Sequence, residues 1–198
     1  MKERILVTGG TGYIGSHTVV ELQNSGYDVV IVDNLSNSSA DVVDNIEKVS
    51  GIRPAFEKLD CLDLEGMDKL FTKYPGIKGI IHFAASKAVG ESVQKPLLYY
   101  RNNLVSLINL LELMPKHGVE GIIFSSSCTV YGQPDVLPVT EEAPIKKAES
   151  PYGNTKQINE EIIRDTVASG SPINAIMLRY FNPIGAHPTA LIGELDRK

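Results

Sequence analysis

Long hydrophobic runs are missing from this sequence. Its first apolar stretch, Ile5-Leu6-Val7-Thr8, is broken by Gly9-Gly10, too soon for the core of a signal peptide or for a membrane span. The chain is therefore expected to be cytoplasmic, with no membrane partner. Cysteine is also scarce. Cys61 and Cys128 stand too few and too far apart for a disulfide framework or a metal knuckle, and both are expected to be reduced thiols. Basic clusters are missing too. The 19 Lys and Arg are spread along the chain and outnumbered by 24 Asp and Glu, which argues against a nucleic-acid surface. Nor is there a low-complexity tract, an internal repeat or a linker. With 42% of its 198 residues hydrophobic, the chain has the means to bury one substantial core.

What is present is an alternation. Short apolar, β-branched runs at Arg4 to Thr8, Asp28 to Asp33, Pro54 to Leu59, Gly79 to Phe83, Gly121 to Ser125 and Asn174 to Leu178 read as strands. Most are nearly continuous in apolar residues, as strands buried on both faces should be. Between them lie segments of helical period: Tyr13 to Ser25, closed by Gly26; Ala40 to Val49; Pro96 to Lys116, with Leu97, Leu104, Ile108 and Leu111 on one stripe; and Pro151 to Val167, with Ile158, Ile162 and Ile163. This order implies an α/β fold, a doubly wound parallel sheet with helices on both faces. The stretch from Ser126 to Glu149 is long for a loop, and long loops in such proteins are commonly functional.

The first strand runs into Gly9-Gly10-Thr11-Gly12-Tyr13-Ile14-Gly15. At a strand-to-helix turn, Gly9, Gly12 and Gly15 let the chain turn tightly, let a pyrophosphate approach backbone N–H groups at the positive helix end, and let helix and strand pack closely. This is the fingerprint of a Rossmann-type dinucleotide fold. Eighteen positions after Gly15, Asp33 ends the second strand, where a carboxylate accepts from both ribose hydroxyls and repels a 2′-phosphate. That selects NAD over NADP. The alternative is an aspartate that caps the following loop. Asp60-Cys61, after the third strand, falls where an adenine contact would lie, though an aspartate there also forms turns.

Ser150-Pro151-Tyr152-Gly153-Asn154-Thr155-Lys156 places Tyr152 and Lys156 four apart at a helix start, on one face. A capped surface helix explains that spacing without any chemistry. The hydroxyl row Ser125-Ser126-Ser127, at the carboxyl end of the fifth strand, gives the tyrosine something to face. An ammonium nearby favours phenolate and makes a phenol a usable base. Lys156 would also hold the nicotinamide ribose, and Ser127 would orient a substrate hydroxyl or relay its proton.

These motifs resemble the extended short-chain dehydrogenase/reductase family. Within it, Asp33 to Asn37, His82 to Ser92, Tyr99 to Asn103 and Arg179 to Pro188 resemble the UDP-hexose 4-epimerase group. The resemblance implies that Gly12, Tyr13 and Ile14 cradle the pyrophosphate and that Asp33, Asn34 and Asn37 hold the adenosine. It implies Asp60 and Cys61 against adenine, and Phe83, Ala84 and Lys87 along the middle of the cofactor. It implies Asn102 at or near a cofactor phosphate, and Tyr180 and Phe181 as walls of the nicotinamide. The substrate set is Lys87, Ser127, Tyr152, Phe181 and Asn182, and the catalytic set Ser127, Tyr152 and Lys156. Ala85 departs from the glycine common in the family.

The implied reaction takes hydride and proton from C4 of a UDP-hexose, turns the 4-keto sugar over, and returns hydride to the other face, so that NAD is regenerated. The related 4,6-dehydratases carry an Asp-Glu pair where this chain has Cys128 and Thr129, which disfavours dehydration. A pure NAD-binding role remains a third reading. The resemblance also implies a homodimer through the helices near Pro96 to Lys116 and Pro151 to Val167. It implies an NAD-binding domain over residues 1–180 and the start of a substrate region over 181–198, most of that region lying beyond the chain. NAD binding with weak or absent turnover is then expected of the chain alone. The four histidines, His17, His82, His117 and His187, show no metal spacing and read as structural.

Overall fold

A computed structural model describes residues 2–194. Six strands form one sheet: β1 (Arg4–Thr8), β2 (Asp28–Asp33), β3 (Ala55–Lys58), β4 (Ile77–His82), β5 (Gly121–Ser127) and β6 (Asn174–Tyr180). All neighbouring pairs are parallel, in the order β3-β2-β1-β4-β5-β6. The order reverses between β1 and β4, which opens a crevice at their carboxyl ends.

Alternate residues of the strands feed two cores, as a period of two requires. On one face Leu6, Val30, Val32, Ile80 and Ile122 pack with α3 (Leu64–Lys73) and α5 (Pro96–Lys116). On the other, Val7, Val29, Ile31 and Ile81 pack with α1 (Tyr13–Asn24) and α2 (Asp41–Ser50). The remaining helices are α4 (Val89–Gln94) and α6 (Pro151–Ala168), whose Ile163 joins the first core.

Three expectations need correction. First, α3 and α4 were absent from the sequence reading, although Asp63 caps α3 by accepting from the Gly66 N–H at 3.0 Å. Second, the α5 stripe holds only in part: Leu111 is buried, but Leu97 is 81% and Ile108 37% exposed, while Tyr99, Leu107, Leu110 and Met114 face the core. That buried face also carries Asn103 and Asn109, whose amides are satisfied by Ser86, Thr155 and the Cys61 and Leu62 carbonyls. A stripe drawn through apolar residues alone misses a face that is partly polar. Third, β6 is not covered on both faces. Ala175 and Met177 pack against the first core, but Ile176 and Leu178 are 57% and 40% exposed, because β6 is an edge strand and α1 and α2 sit over the other end of the sheet.

The stretch expected to be loop from Ser126 is shorter than it reads. β5 continues to Ser127 and a 3₁₀ turn spans Cys128–Tyr131. The remainder is tethered by the Gln157 amide, which donates to the Val130 carbonyl at 2.9 Å and to Lys146 O.

Candidate active site

The crevice is a cavity of about 1200 Å³, and every residue expected to bind or react lines it. At one end is the glycine turn. Gly9 has φ +69°, and a Cβ there would lie 2.7 Å from Ala84 N; a Cβ on Gly15 would lie 2.2 Å from Gly9 O. Both glycines are demanded by packing. Gly12 differs: a Cβ there would meet only Gly9 O, at 3.2 Å, and otherwise fill the cavity. Gly12 is also the N-cap of α1, where no side chain caps the helix and its first turn holds no acidic residue. Tyr13, Ile14 and Gly15 thus present a positive helix end to the cavity, which fits a pyrophosphate.

Asp33 is buried at the end of β2. Its Oδ1 accepts from Leu35 N at 2.9 Å and Ser38 Oγ at 3.1 Å, and its Oδ2 from Thr11 N at 3.3 Å. It therefore caps the loop, as the alternative reading held, while lining the cavity. Asn34 donates from Nδ2 to Asp60 Oδ2 at 2.9 Å, so the two residues expected at adenosine orient each other. Asn37 is exposed on the same rim, and Cys61 is buried, its thiol pushed up to about 12 mainly by burial and then by Asp60 and Asp33. Thr11 and Ser38, bonded to each other at 2.8 Å, were missed by the sequence reading. Only the fold brings them to the aspartate.

In the middle, Phe83 and Tyr180 approach with ring centroids 6.4 Å apart. Ala84 N donates to Thr8 Oγ1 at 3.4 Å, and Thr8 Oγ1 meets His82 Nδ1 at 2.7 Å. His82 is buried, which depresses its imidazole to about 3, with the Lys156 charge adding to that. It is neutral and structural. Asn102 donates to Ser86 Oγ at 3.1 Å. Lys87 pairs with Glu194 at 3.4 Å, both exposed. Phe181 and Asn182 lie on the exposed rim, and Ala85 lines the wall.

The reacting end is built by β5 and α6. Ser150 caps α6, its Oγ accepting from Gly153 N at 3.1 Å, and Pro151 takes the first turn. Tyr152 and Lys156 then fall on one face, with Lys156 Nζ 5.8 Å from the Tyr152 ring centroid. The Ser127 hydroxyl and the Tyr152 phenol both line the cavity, close enough for the serine to act on the phenol. The expectation that the ammonium lowers the phenol is not met in this state. Burial raises Tyr152, the neighbouring Ser127 hydroxyl opposes that, and the nearby Cys128 adds to the rise. Lys156 is itself buried, which pushes it down to about 8, and its Nζ donates to the Ser125 carbonyl at 2.6 Å. Its cation is spent on the strand end rather than on the phenol.

An open helix end, a carboxylate at the end of β2 and a Ser-Tyr-Lys group thus share one crevice of a Rossmann-type sheet. The chain belongs to the NAD dependent epimerase/dehydratase family, whose profile matches residues 5–196. It is 52% identical to the UDP-glucose 4-epimerase of Dictyostelium discoideum over 97% of its own length and 55% of that protein's. It is 52% identical to the Bacillus subtilis UDP-glucose 4-epimerase over 96% of this chain and 56% of that one. Among solved structures, UDP-glucose-4-epimerase from Stenotrophomonas maltophila, with bound NAD and formylated UDP-arabinopyranose, superposes with a TM-score of 0.95 at 48% identity, covering 98% of this chain and 57% of that one. The Bifidobacterium longum UDP-glucose 4-epimerase, in complex with NAD+ and UDP, gives 0.94 at 48% identity over 96% and 57%. The chain spans about half the length of the curated relatives it matches.

Proposed function

We propose that this chain carries the NAD site and the reacting residues of a UDP-hexose 4-epimerase. Residues 1–180 would form the NAD-binding domain. The segment 181–198 would begin the substrate region, its residues 195–198 lying outside the described residues. The observation that carries the reading is that Ser127, Tyr152 and Lys156 share one cavity with the open α1 end and Asp33.

The α1 N–H groups would hold the pyrophosphate and Asp33 the adenosine ribose, with Asn34, Asn37, Asp60 and Cys61 around the adenine. Phe83, Ala84, Lys87, Asn102 and Tyr180 would line the rest. NAD, when bound, supplies the hydride acceptor. Tyr152 would take the proton from the C4 hydroxyl, a task that needs its phenol ionised, while Ser127 orients that hydroxyl. Lys156 would hold the nicotinamide ribose. Phe181 and Asn182 would face the sugar nucleotide. NAD binding is expected of the 198-residue chain, and turnover of a protein of the relatives' full length.

A homodimer through α5 and α6 is supported by the exposed Leu97, Leu98 and Ile108 on α5, and sedimentation of the full-length protein tests it. A cytoplasmic location is consistent with two unpaired thiols; among the described residues no helix is long and apolar enough to cross a membrane. Replacing Tyr152→Phe in a protein of the relatives' full length tests the chemistry. Epimerisation of UDP-glucose is expected to fall by about 10²-fold or more with NAD affinity retained, whereas unchanged turnover would remove Tyr152 from the base role.

A further inference from the structure

One turn beyond Lys156, α6 carries Glu160, a carboxylate that the proposed reaction does not use. Its side chain is 1% exposed. Four donors converge on it. Ser126 Oγ at 2.6 Å and Arg179 Nε at 2.9 Å reach Oε1, and Arg179 Nη2 at 2.8 Å and Arg164 Nη2 at 2.7 Å reach Oε2. Burial would push this carboxyl up, but the hydrogen bonds from Arg179 and Ser126 outweigh it and hold the group below the usual carboxylate range. It is an anion clamped between a helix and two strands.

The donors sit beside the reacting residues. Ser126 precedes Ser127 on β5, and Arg179 precedes Tyr180 on β6. Ser126 faces Arg179 in the β5–β6 register, and Ser127 faces Tyr180 one position on. Tyr152 lies two turns before Glu160 on the same helix. Ser127 and Tyr152 therefore face each other across the cavity from β5 and α6, elements that Glu160 joins. A site of this kind needs its groups held to within about 0.5 Å.

We propose that Glu160 is a positioning residue: by tying α6 to the ends of β5 and β6, its carboxylate holds the Ser127 hydroxyl against the Tyr152 phenol. The proposal rests on the reading of Tyr152 as the reacting base and adds what sets its geometry. A buried ion pair is weak evidence for stability as such, and here one carboxylate joins three elements next to the cavity-lining Ser126. Arg164, 45% exposed, is peripheral to that function. Arg179 is fixed a second time, with its guanidinium 4.7 Å from the Tyr131 ring centroid.

The test is the titration of Tyr152 in the 198-residue chain, followed by carbon NMR of ring-labelled tyrosine and assigned with Tyr152→Phe. The groups acting on the phenol are Ser127 and Cys128, with Lys156 over its ring. Glu160→Asp keeps the charge but retreats by one methylene, so it is expected to raise the Tyr152 midpoint by about half a pH unit as the Ser127 hydroxyl moves away from the phenol. Ser127→Ala should raise it as much, and the double variant no further, because both act through one contact. Ile163→Val, a buried change on the same helix, and Arg164→Gln should leave the midpoint in place.

An unmoved midpoint in folded Glu160→Asp would overturn the proposal. So would a shift of undiminished size in the Ser127→Ala background, or an equal shift in Ile163→Val. If Glu160→Asp does not fold, Arg179→Lys repeats the test by keeping the positive charge and losing the two-pronged contact. None of these readouts needs turnover, so epimerisation that survives Tyr152→Phe would sink the base assignment and leave the titration to decide on Glu160.

Discussion

Gly15 illustrates how one residue serves the site without touching a ligand. Its missing Cβ is what allows α1 to start against Gly9 O, and the open helix end follows from that start. A Gly15→Ala variant must move the turn or the helix. It is expected to lose about 1–3 kcal/mol of stability in urea unfolding, with NAD affinity falling alongside. Residues with such a local reason were legible in the sequence: the three glycines, Asp33, and the Tyr152 and Lys156 spacing all stand at fixed offsets from a strand end or a helix start. Residues whose reason is tertiary were not. Thr11, Ser38 and Glu160 have ordinary surroundings in sequence, and only strand pairing and helix docking bring their partners to them. The electrostatics of Tyr152 were likewise out of reach, since spacing puts Lys156 on the right face but does not say that its ammonium reaches Ser125 O instead.

At the scale of elements, α6 matters most. Its buried residues include Thr155, Lys156, Asn159 and Glu160, so the face turned inward is largely polar and is fixed by hydrogen bonds rather than by apolar area. Its first turn depends on the Ser150 cap. Ser150→Ala is expected to cost about 1 kcal/mol, read as a lowered urea midpoint at an unchanged slope. Because Tyr152 lies in that turn, its ring signal should broaden in the same variant. The helix α5 shows why its expected stripe held only at Leu111: asparagines satisfied by backbone and side-chain partners are as buried as leucines. For β6 the reason is position in the sheet, since an apolar run cannot reveal that its strand is an edge. The doubly wound parallel sheet, by contrast, followed from the alternation together with the glycine turn after β1, while the order of its strands comes from the structure.

For the whole molecule, two buried bases tie stability to pH. His82 is depressed to about 3 from an ordinary 6.5, so between those values the unfolded chain binds a proton that the folded chain does not, and stability rises with pH across that window. Urea unfolding free energies measured at pH 5 and pH 7 are expected to differ by roughly 2 kcal/mol from this residue, with the pH 7 value higher. In His82→Gln that part of the slope should vanish. Lys156, depressed to about 8 from 10.5, acts in the same sense at alkaline pH: stability gains continue between those values and cease above them.

The proposed function has this cavity, in a protein of the relatives' full length, oxidise and restore C4 of a UDP-hexose on one bound NAD. It is tested most directly with UDP-glucose deuterated at C4, given to a protein of the relatives' full length whose N-terminal part is this chain. The account predicts UDP-galactose that retains the label at C4, with no NAD consumed. Label lost to solvent during epimerisation would contradict it.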